Sequence, residues 1–167
     1  MTFEQIYHEY KNLVYNLSLQ YTNNVHDAEE ILQDVFLKVF DHLGEFRSTA
    51  DMKTWIYRIA VNQSLDFIKS QQRKKRSFLN QLLRIDPNEQ AFEISDLNHL
   101  GIDFENKEAL ELLMRKIYKL PENQKTVIIL LKIEDLSQKE VAGIMQISEG
   151  AVESLFQRAK TNLKKVL

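Results

Sequence analysis

The stretch LSQKEVAGIMQISEGAVESLFQRAKTNLKK, residues 136–165, decides the fold of the C-terminal half. Ser137 and Glu140 are spaced as a capping box, which predicts the start of a short helix. A turn of three residues follows, and Ser148 at its end is placed to cap a last helix over 149–165. A short helix, a tight turn and a longer helix form the helix-turn-helix pattern.

The last helix has two chemically distinct faces when its residues are placed on a helical wheel. Its apolar face is made by Ala151, Val152, Leu155, Phe156, Ala159, Leu163 and Val166. Its polar face carries Ser154, Gln157, Arg158, Thr161 and Lys164. Arg and Gln can form paired hydrogen bonds with base edges, and Ser, Thr and Lys reach phosphates. The pattern therefore predicts DNA binding, with an ordinary amphipathic helix as the alternative.

The N-terminal half also has the periodicity of amphipathic helices. Apolar residues recur at steps of three and four over 3–22, which predicts a first helix. Asp27, with Glu30 three residues later, is expected to cap a second helix. The predicted buried stripe of that helix is Ile31, Leu32, Val35, Phe36, Val39 and Phe40. Acidic residues, including Glu30 and Asp34, occupy its other face.

A third helix is predicted over 51–76, and its polar residues form one ridge between two apolar flanks. The ridge carries Trp55, Arg58, Asn62, Lys69 and Arg73, and the helix is expected to end in a basic run. Packing in the core is the alternative role for Trp55, and a solvated helix end is the alternative for the run.

Composition sets the fold class. Hydrophobic residues make up 44% of the chain and charged residues 28%, as in a globular protein. Four Gly and two Pro in 167 residues leave little turn chemistry for hairpins. We predict an all-α protein of two small helical domains, 1–77 and 107–167, the second containing the helix-turn-helix. Residues 78–106 lose clean periodicity and are expected to form a flexible linker.

Charge is distributed unevenly along the chain. The net charge is −6 over 1–46, +7 over 47–84, −5 over 85–124 and +2 over 125–167. Two basic segments separated by an acidic one suggest surfaces for a polyanion and others for a basic partner. Ordinary charged helix surfaces are the alternative.

Several classes of function lack their sequence signals. The chain has no cysteine, and its four histidines are scattered without a metal-ligand or catalytic pattern. No apolar run approaches the roughly 18 residues of a membrane-spanning helix, and the N-terminus is not a secretory signal. We therefore expect no enzyme activity, no metal, no cofactor and no membrane insertion, and we expect a location in the cytoplasm.

Four segments in order carry a family resemblance. DAEEILQDVF at 27–36, TWIYRIAVN at 54–62 and LPENQ at 120–124 precede the helix-turn-helix. Together they resemble the extracytoplasmic-function sigma factors, the short two-domain sigma subunits of bacterial RNA polymerase. The resemblance implies binding of core RNA polymerase and of promoter DNA. The first domain would be region two, which reads and opens the minus-ten element, and the second would be region four, which reads the minus-thirty-five element.

The resemblance also implies where the polymerase binds. Glu30 and Asp34 would dock on the clamp coiled coil of the largest polymerase subunit. Region four would dock on the flap tip of the second-largest subunit through Val127, Leu130 and Leu131.

DNA-binding residues follow from the same resemblance. An unstacked base of the minus-ten element would be captured by Phe46, Trp55, Arg58 and Asn62, with Lys69 and Arg73 on the backbone. Ser154 and Arg158 match the family's contact positions for the minus-thirty-five element. Glu153, Leu155 and Gln146 depart from the residues common in the family, so no consensus promoter is transferred.

Each domain is expected to bind DNA weakly alone and to act when one polymerase holds both. The free protein is expected to be a monomer that an anti-sigma factor could silence by wedging between its domains or by covering the polymerase-facing surfaces. A dimeric helix-turn-helix regulator that acts without polymerase is the alternative function.

Overall fold

The structure is a computed structural model that describes residues 1–46, 51–82 and 107–165, and its regular elements in these ranges are all helical. The N-terminal domain consists of α1 (Phe3–Thr22), α2 (Val25–His42), a 3₁₀ turn (Leu43–Glu45) and α3 (Met52–Leu82). The C-terminal domain consists of α4 (Lys107–Tyr118), α5 (Glu122–Ile128), a π-helical turn (Ile129–Ile133), α6 (Gln138–Met145) and α7 (Glu149–Lys165). The predicted fold class is confirmed.

Two details of α2 differ from the sequence prediction. Its cap is Asn24, whose side chain accepts a hydrogen bond from the Asp27 backbone N at 3.0 Å, so Asp27 is not the cap. Phe40, expected in the buried stripe, is 62% exposed. Its ring packs edge-on against Phe3 with centroids 5.2 Å apart, at the margin of the domain. The stripe is buried only as far as Val39, because the last turn of α2 reaches the edge of the helices that cover it.

Helix α3 continues to Leu82, beyond the predicted domain boundary at residue 77. No glycine or proline interrupts the sequence between residues 73 and 82, so no local signal ends the helix there. The rest of the predicted linker, 83–106, lies outside the described residues.

The helix-turn-helix forms as predicted. The Ser137 hydroxyl accepts from the Glu140 backbone N at 3.3 Å, and the Ser137 backbone N donates to the Glu140 carboxylate at 2.8 Å. The Ser148 hydroxyl accepts from the Ala151 backbone N at 3.1 Å and caps α7. Gln146 ends α6 in the left-handed region with φ of 57°. Both helices of the motif therefore start at local side-chain caps.

The two domains pack against each other through a shared apolar core. Helices α1, α2 and α3 contribute their buried faces, and the C-terminal domain contributes Val127, Ile129, Leu130, Leu136, Val141, Ala142, Ile144 and Val152 to the same cluster. A smaller cluster of Met114, Ile117, Leu120, Ile128 and Ala159 lies within the C-terminal domain. We call the contact between the domains the seam. It defines an arrangement that the sequence left open.

Removal of the α6 cap should weaken the helix-turn-helix. We expect Ser137→Ala to lower the free energy of unfolding by about 1 kcal/mol, because the Glu140 backbone N loses its acceptor. Urea denaturation followed by circular dichroism measures the change. Lys139→Ala, an exposed position in the same turn, is the control and should leave stability within about 0.5 kcal/mol of the wild type. Equal stability of Ser137→Ala and the control would contradict the role of the cap.

Candidate DNA and polymerase interfaces

Helix α7 presents its predicted DNA-reading face to solvent. Val152 and Ala159 are fully buried and anchor the helix on the rest of its domain. The side chains on the opposite face are all exposed: Ser154, Gln157, Arg158, Thr161 and Lys164. The separation follows from the wheel, since anchoring one stripe of a helix turns the other stripe outward.

Glu153 joins the two helices of the helix-turn-helix. Its carboxylate accepts from the Gln157 side chain at 2.6 Å within α7 and from the Gln138 side chain at the start of α6. The Gln157 amide is thereby held toward Glu153 in the absence of DNA. Glu153 thus contributes to positioning the reading face as well as adding a negative charge beside it.

An aromatic groove lies at the start of α3. The Phe46 and Trp55 rings pack with centroids 4.9 Å apart and planes inclined by 42°. They line a groove of about 420 Å³ together with Lys38, His42, Glu45 and Ile59. Trp55 is half-buried, so it contributes to packing and still presents surface to the groove. Its ring can therefore stack on a planar ligand without unfolding the helix.

Asp51 holds the first turn of α3, which carries Trp55. Its carboxylate accepts from the Thr54 backbone N at 3.0 Å and from the Thr54 hydroxyl at 2.9 Å. The backbone hydrogen bond is the main reason that the pKa of Asp51 is lowered, because it favours the charged carboxylate. The Trp55 backbone N donates to the Asp51 carbonyl at 3.1 Å.

The predicted basic ridge is only partly open. Asn62, Lys69 and Arg73 are exposed. Lys69 forms an ion pair with Glu122 across the seam at 3.1 Å, with both side chains substantially solvated. Arg58 instead reaches into the seam, where its Nη2 donates to the Gly143 carbonyl at 2.7 Å and its buried Nε has no partner. In this arrangement Arg58 is therefore engaged with α6 rather than available to DNA.

The outer face of α2 combines acidic and apolar side chains. Glu30 and Asp34 are exposed, as predicted for a docking face. Leu37 and Phe40 are each 62% exposed on the same helix, although neither was predicted as a surface residue. Leu37 does not fit the three- and four-residue spacing of the buried stripe, and this spacing indicates an exposed position for it. A partner here would meet carboxylates beside apolar anchors.

The residues predicted to bind the flap tip lie on the side of the C-terminal domain that packs against the N-terminal domain. Val127 and Leu130 have no exposed surface, because both belong to the seam core, and Leu131 is half-buried. These residues are thus covered by the N-terminal domain in this arrangement.

The same domain has an open apolar groove elsewhere, of about 510 Å³. Helices α4, α5 and α7 line it, with Leu113, Ile117, Phe156 and Leu163 among its residues. The Nζ atoms of Lys132 and Lys160 lie 5.2 and 5.3 Å from the centroid of the Phe156 ring, so two cations flank the groove. No local sequence pattern indicates this groove, because it exists only where three helices meet.

Polar side chains orient the two domains at the seam. The Glu134 carboxylate accepts from the Gln20 amide at 2.6 Å and from the Tyr57 hydroxyl at 2.7 Å. The Tyr21 hydroxyl donates to the Thr126 hydroxyl at 3.0 Å. Burial raises the pKa of Tyr57, and its hydrogen bond to Glu134 raises it further, so this hydroxyl is a stable donor. Glu134 follows the π-helical turn and accepts from two elements of the N-terminal domain.

Neither a metal site nor a membrane-spanning helix is found in the described ranges. Within 1–46, 51–82 and 107–165, no cluster of three or more acidic or histidine side chains is arranged to hold a metal ion. None of the helices described is both long and apolar enough to span a membrane.

Family models match both domains. Residues 6–74 match the family described as sigma-70 region 2, and residues 110–163 match sigma-70, region 4. The chain is 32% identical to the ECF RNA polymerase sigma factor SigW of Bacillus subtilis (strain 168), covering 99% of this chain and 88% of that protein. It is 28% identical to SigM, an ECF RNA polymerase sigma factor of the same organism, over 98% of this chain and 94% of that protein.

Solved structures share the fold. The sigma factor RpoE of Bartonella quintana, in complex with the anti-sigma factor NepR, aligns with a TM-score of 0.69 and 19% identity. That alignment covers 98% of this chain and 94% of the other. CnrH, in complex with the cytosolic domain of CnrY, aligns with a TM-score of 0.66 and 19% identity over 98% and 86% of the two chains.

Loss of the Glu134 carboxylate should loosen the seam. In Glu134→Ala the Tyr57 hydroxyl and the Gln20 amide lose their acceptor, which costs about 1–3 kcal/mol for each group that stays buried and unpaired. We expect a larger radius of gyration in small-angle scattering of the free protein. Glu149→Ala removes an exposed carboxylate from the same domain and should scatter like the wild type. An unchanged radius in Glu134→Ala would show that the seam does not need this carboxylate.

Proposed function

Since this chain belongs to the extracytoplasmic-function RNA polymerase sigma factors, we propose that it guides core polymerase to promoters through the two DNA-binding faces described above. It is an RNA polymerase sigma factor, and its activity is recognition of promoters and initiation of transcription. The observation that carries the assignment is the match of both sigma regions, in order, along one chain. The residue roles below are part of the proposal.

The minus-ten element is bound at the start of α3. A base displaced from the duplex stacks on Trp55 in the groove that Phe46 shares, and such stacking contributes roughly 1–3 kcal/mol. Asn62 is exposed two turns along the same helix and offers a donor and an acceptor to a base edge. Arg73 extends the same ridge and neutralises a backbone phosphate, and Lys69 does the same once its ion pair with Glu122 opens. Arg58 joins this surface once it leaves the Gly143 carbonyl.

The minus-thirty-five element is read by α7. The exposed face offers Arg158 to base edges, and Gln157 as well once its amide leaves Glu153, while Ser154, Thr161 and Lys164 hold the backbone. Glu153 favours a cytosine amino group as its neighbour, because a carboxylate accepts a hydrogen bond from that group and repels phosphate. The promoter sequence preferred by this protein therefore differs from one read by a basic residue at that position.

Core polymerase is bound by both domains. The α2 face offers Glu30 and Asp34 to the basic clamp coiled coil, and Leu37 and Phe40 add apolar anchors. For the flap tip, we favour the open apolar groove over Val127 and Leu130, which the seam covers. Binding that requires Val127 or Arg58 has to open the seam first, so its apparent affinity falls by the fraction of open molecules.

A partner that holds the seam closed would silence the protein. With the seam closed, Arg58 and the apolar seam residues would stay between the domains and could not contact DNA or polymerase. We propose an anti-sigma factor as such a partner, since the structurally similar RpoE is found in complex with the anti-sigma factor NepR. The protein acts in the cytoplasm, where the polymerase works, and is a monomer when free. A dimeric regulator without polymerase is not favoured, because the matches cover region two as well as the helix-turn-helix.

Transcription in vitro with core polymerase tests the DNA contacts. We expect Asn62→Ala to lose open complex, since a base contact disappears, and Arg158→Ala to lose affinity in the closed complex. A lost base contact of about 1–3 kcal/mol corresponds to a decrease of roughly 5- to 150-fold. Permanganate footprinting measures opening, and filter binding at constant salt measures the closed complex.

Matched variants make this test specific. Asn12→Ala removes an exposed amide from α1 and Arg115→Ala removes an exposed guanidinium from α4, and both should transcribe like the wild type. Equal activity of Asn62→Ala, Arg158→Ala and these controls would refute the site assignment.

Adjacent leucines on α4 test the apolar groove. Leu113 lines the groove and is 44% exposed, whereas Leu112 is 53% exposed and lies outside it. We expect Leu113→Asp to weaken binding to core polymerase at least tenfold, because a carboxylate replaces an apolar contact. Leu112→Asp carries the same change in charge and should bind like the wild type. Fluorescence anisotropy of the labelled sigma factor measures both, and equal affinities would place the flap tip elsewhere.

A further inference from the structure

A cavity of about 180 Å³ lies at the seam, between the end of α1, the start of α2, the C-terminal half of α3, the end of α4 and α5. A single water needs roughly 10–15 Å³, so the cavity has room for a small ligand. Both domains line it, including Tyr21, Gln71, Gln72, Lys75, Tyr118 and Lys125.

Lys125 is the unusual residue of this cavity. It is only 8% exposed, and its Nζ lies 5.7 Å from the centroid of the Tyr21 ring and 5.9 Å from that of Tyr118. Its ammonium makes no salt bridge with any carboxylate in the described ranges. Burial lowers the pKa of Lys125, and the negative charge of Glu122 acts in the opposite direction. An unpaired buried cation is costly, and the tyrosine rings offset only part of that cost.

The remaining wall supplies groups that suit an anion. Lys75 adds a second cation from α3, and the Gln71 and Gln72 side chains add amide donors. Asp27 is the one carboxylate among the residues that line the cavity, so the lining carries a net positive charge. Two ammonium groups with neutral amide donors favour an oxyanion such as phosphate.

We propose that the seam cavity binds a small phosphate-class anion, with Lys125 and Lys75 as its two cationic contacts. The ligand bridges the domains, since Lys75 lies on α3 and Lys125 on α5. Any ligand that contacts both domains stabilises the closed arrangement relative to the open one. The binding does not depend on the proposed function, because it needs neither polymerase nor DNA.

Thermal unfolding of the full chain tests the proposal, with inorganic phosphate and pyrophosphate as probes and sodium chloride at matched ionic strength as the reference. At tenfold excess over Kd we expect the Tm to rise by roughly 3–6 °C. Lys125→Met should abolish this shift and start from an equal or higher Tm, because a buried charge is removed. Lys119→Met removes an exposed lysine outside the cavity and should keep the full shift.

Two results would overturn the proposal. One is an absence of any shift in the wild type beyond that of chloride. The other is an equal shift in the wild type and Lys125→Met, which would indicate the general stabilising effect of phosphate salts. If Lys125→Met does not fold, Lys75→Ala at an exposed position replaces it and should reduce the shift. Adenosine monophosphate distinguishes a nucleotide site from a site for the free anion. A larger Tm shift than that of phosphate assigns the site to a nucleotide, and a smaller Tm shift assigns it to the free anion.

Discussion

The apolar core shared across the seam is the constraint on which the rest of the structure depends. Val127, Leu130 and Val141 of the C-terminal domain are buried in one cluster with the N-terminal helices. Each such side chain contributes roughly 1.5–3 kcal/mol when it leaves water, whereas its polar neighbours mainly set orientation. The Glu134 carboxylate accepts from two side chains of the opposite domain and holds one relative placement among those that apolar contact alone would allow.

This placement affects the functional surfaces unequally. The reading face of α7 and the exposed Asn62 remain in solvent, so the closed arrangement does not block either of them by burial. Arg58, bound to the Gly143 carbonyl, is withdrawn from the ridge that it was predicted to share with Asn62. In this arrangement one residue of the surface proposed for the minus-ten element is therefore held by the C-terminal domain. In the proposed polymerase complex, opening of the seam would expose Arg58 and the apolar core that the two domains share.

The parts of the fold that depend on neighbours in sequence were predictable. The capping box of Ser137 and Glu140 and the cap at Ser148 start their helices where the sequence placed them. The polar face of α7, including Ser154 and Arg158, could be assigned from helical period alone. Phe40 was assigned to the core wrongly, because periodicity identifies a stripe but not the length over which another helix covers it. Helix α3 extends beyond its predicted end to Leu82, because the sequence there contains no residue that stops a helix.

The sequence by itself determined the all-helical class and the polar face of α7, because caps and periodicity act within a few residues, and four motifs in order carried the resemblance to the two sigma regions. Only the tertiary structure decided which apolar stripe meets which. Val127 looks the same in sequence whether it faces its own domain, the other domain or polymerase, and the structure puts it in the seam. The pairing of Lys125 with two tyrosine rings and of Arg58 with Gly143 joins residues far apart in the chain. Such contacts depend on the shape of whole packed faces, which no local pattern encodes.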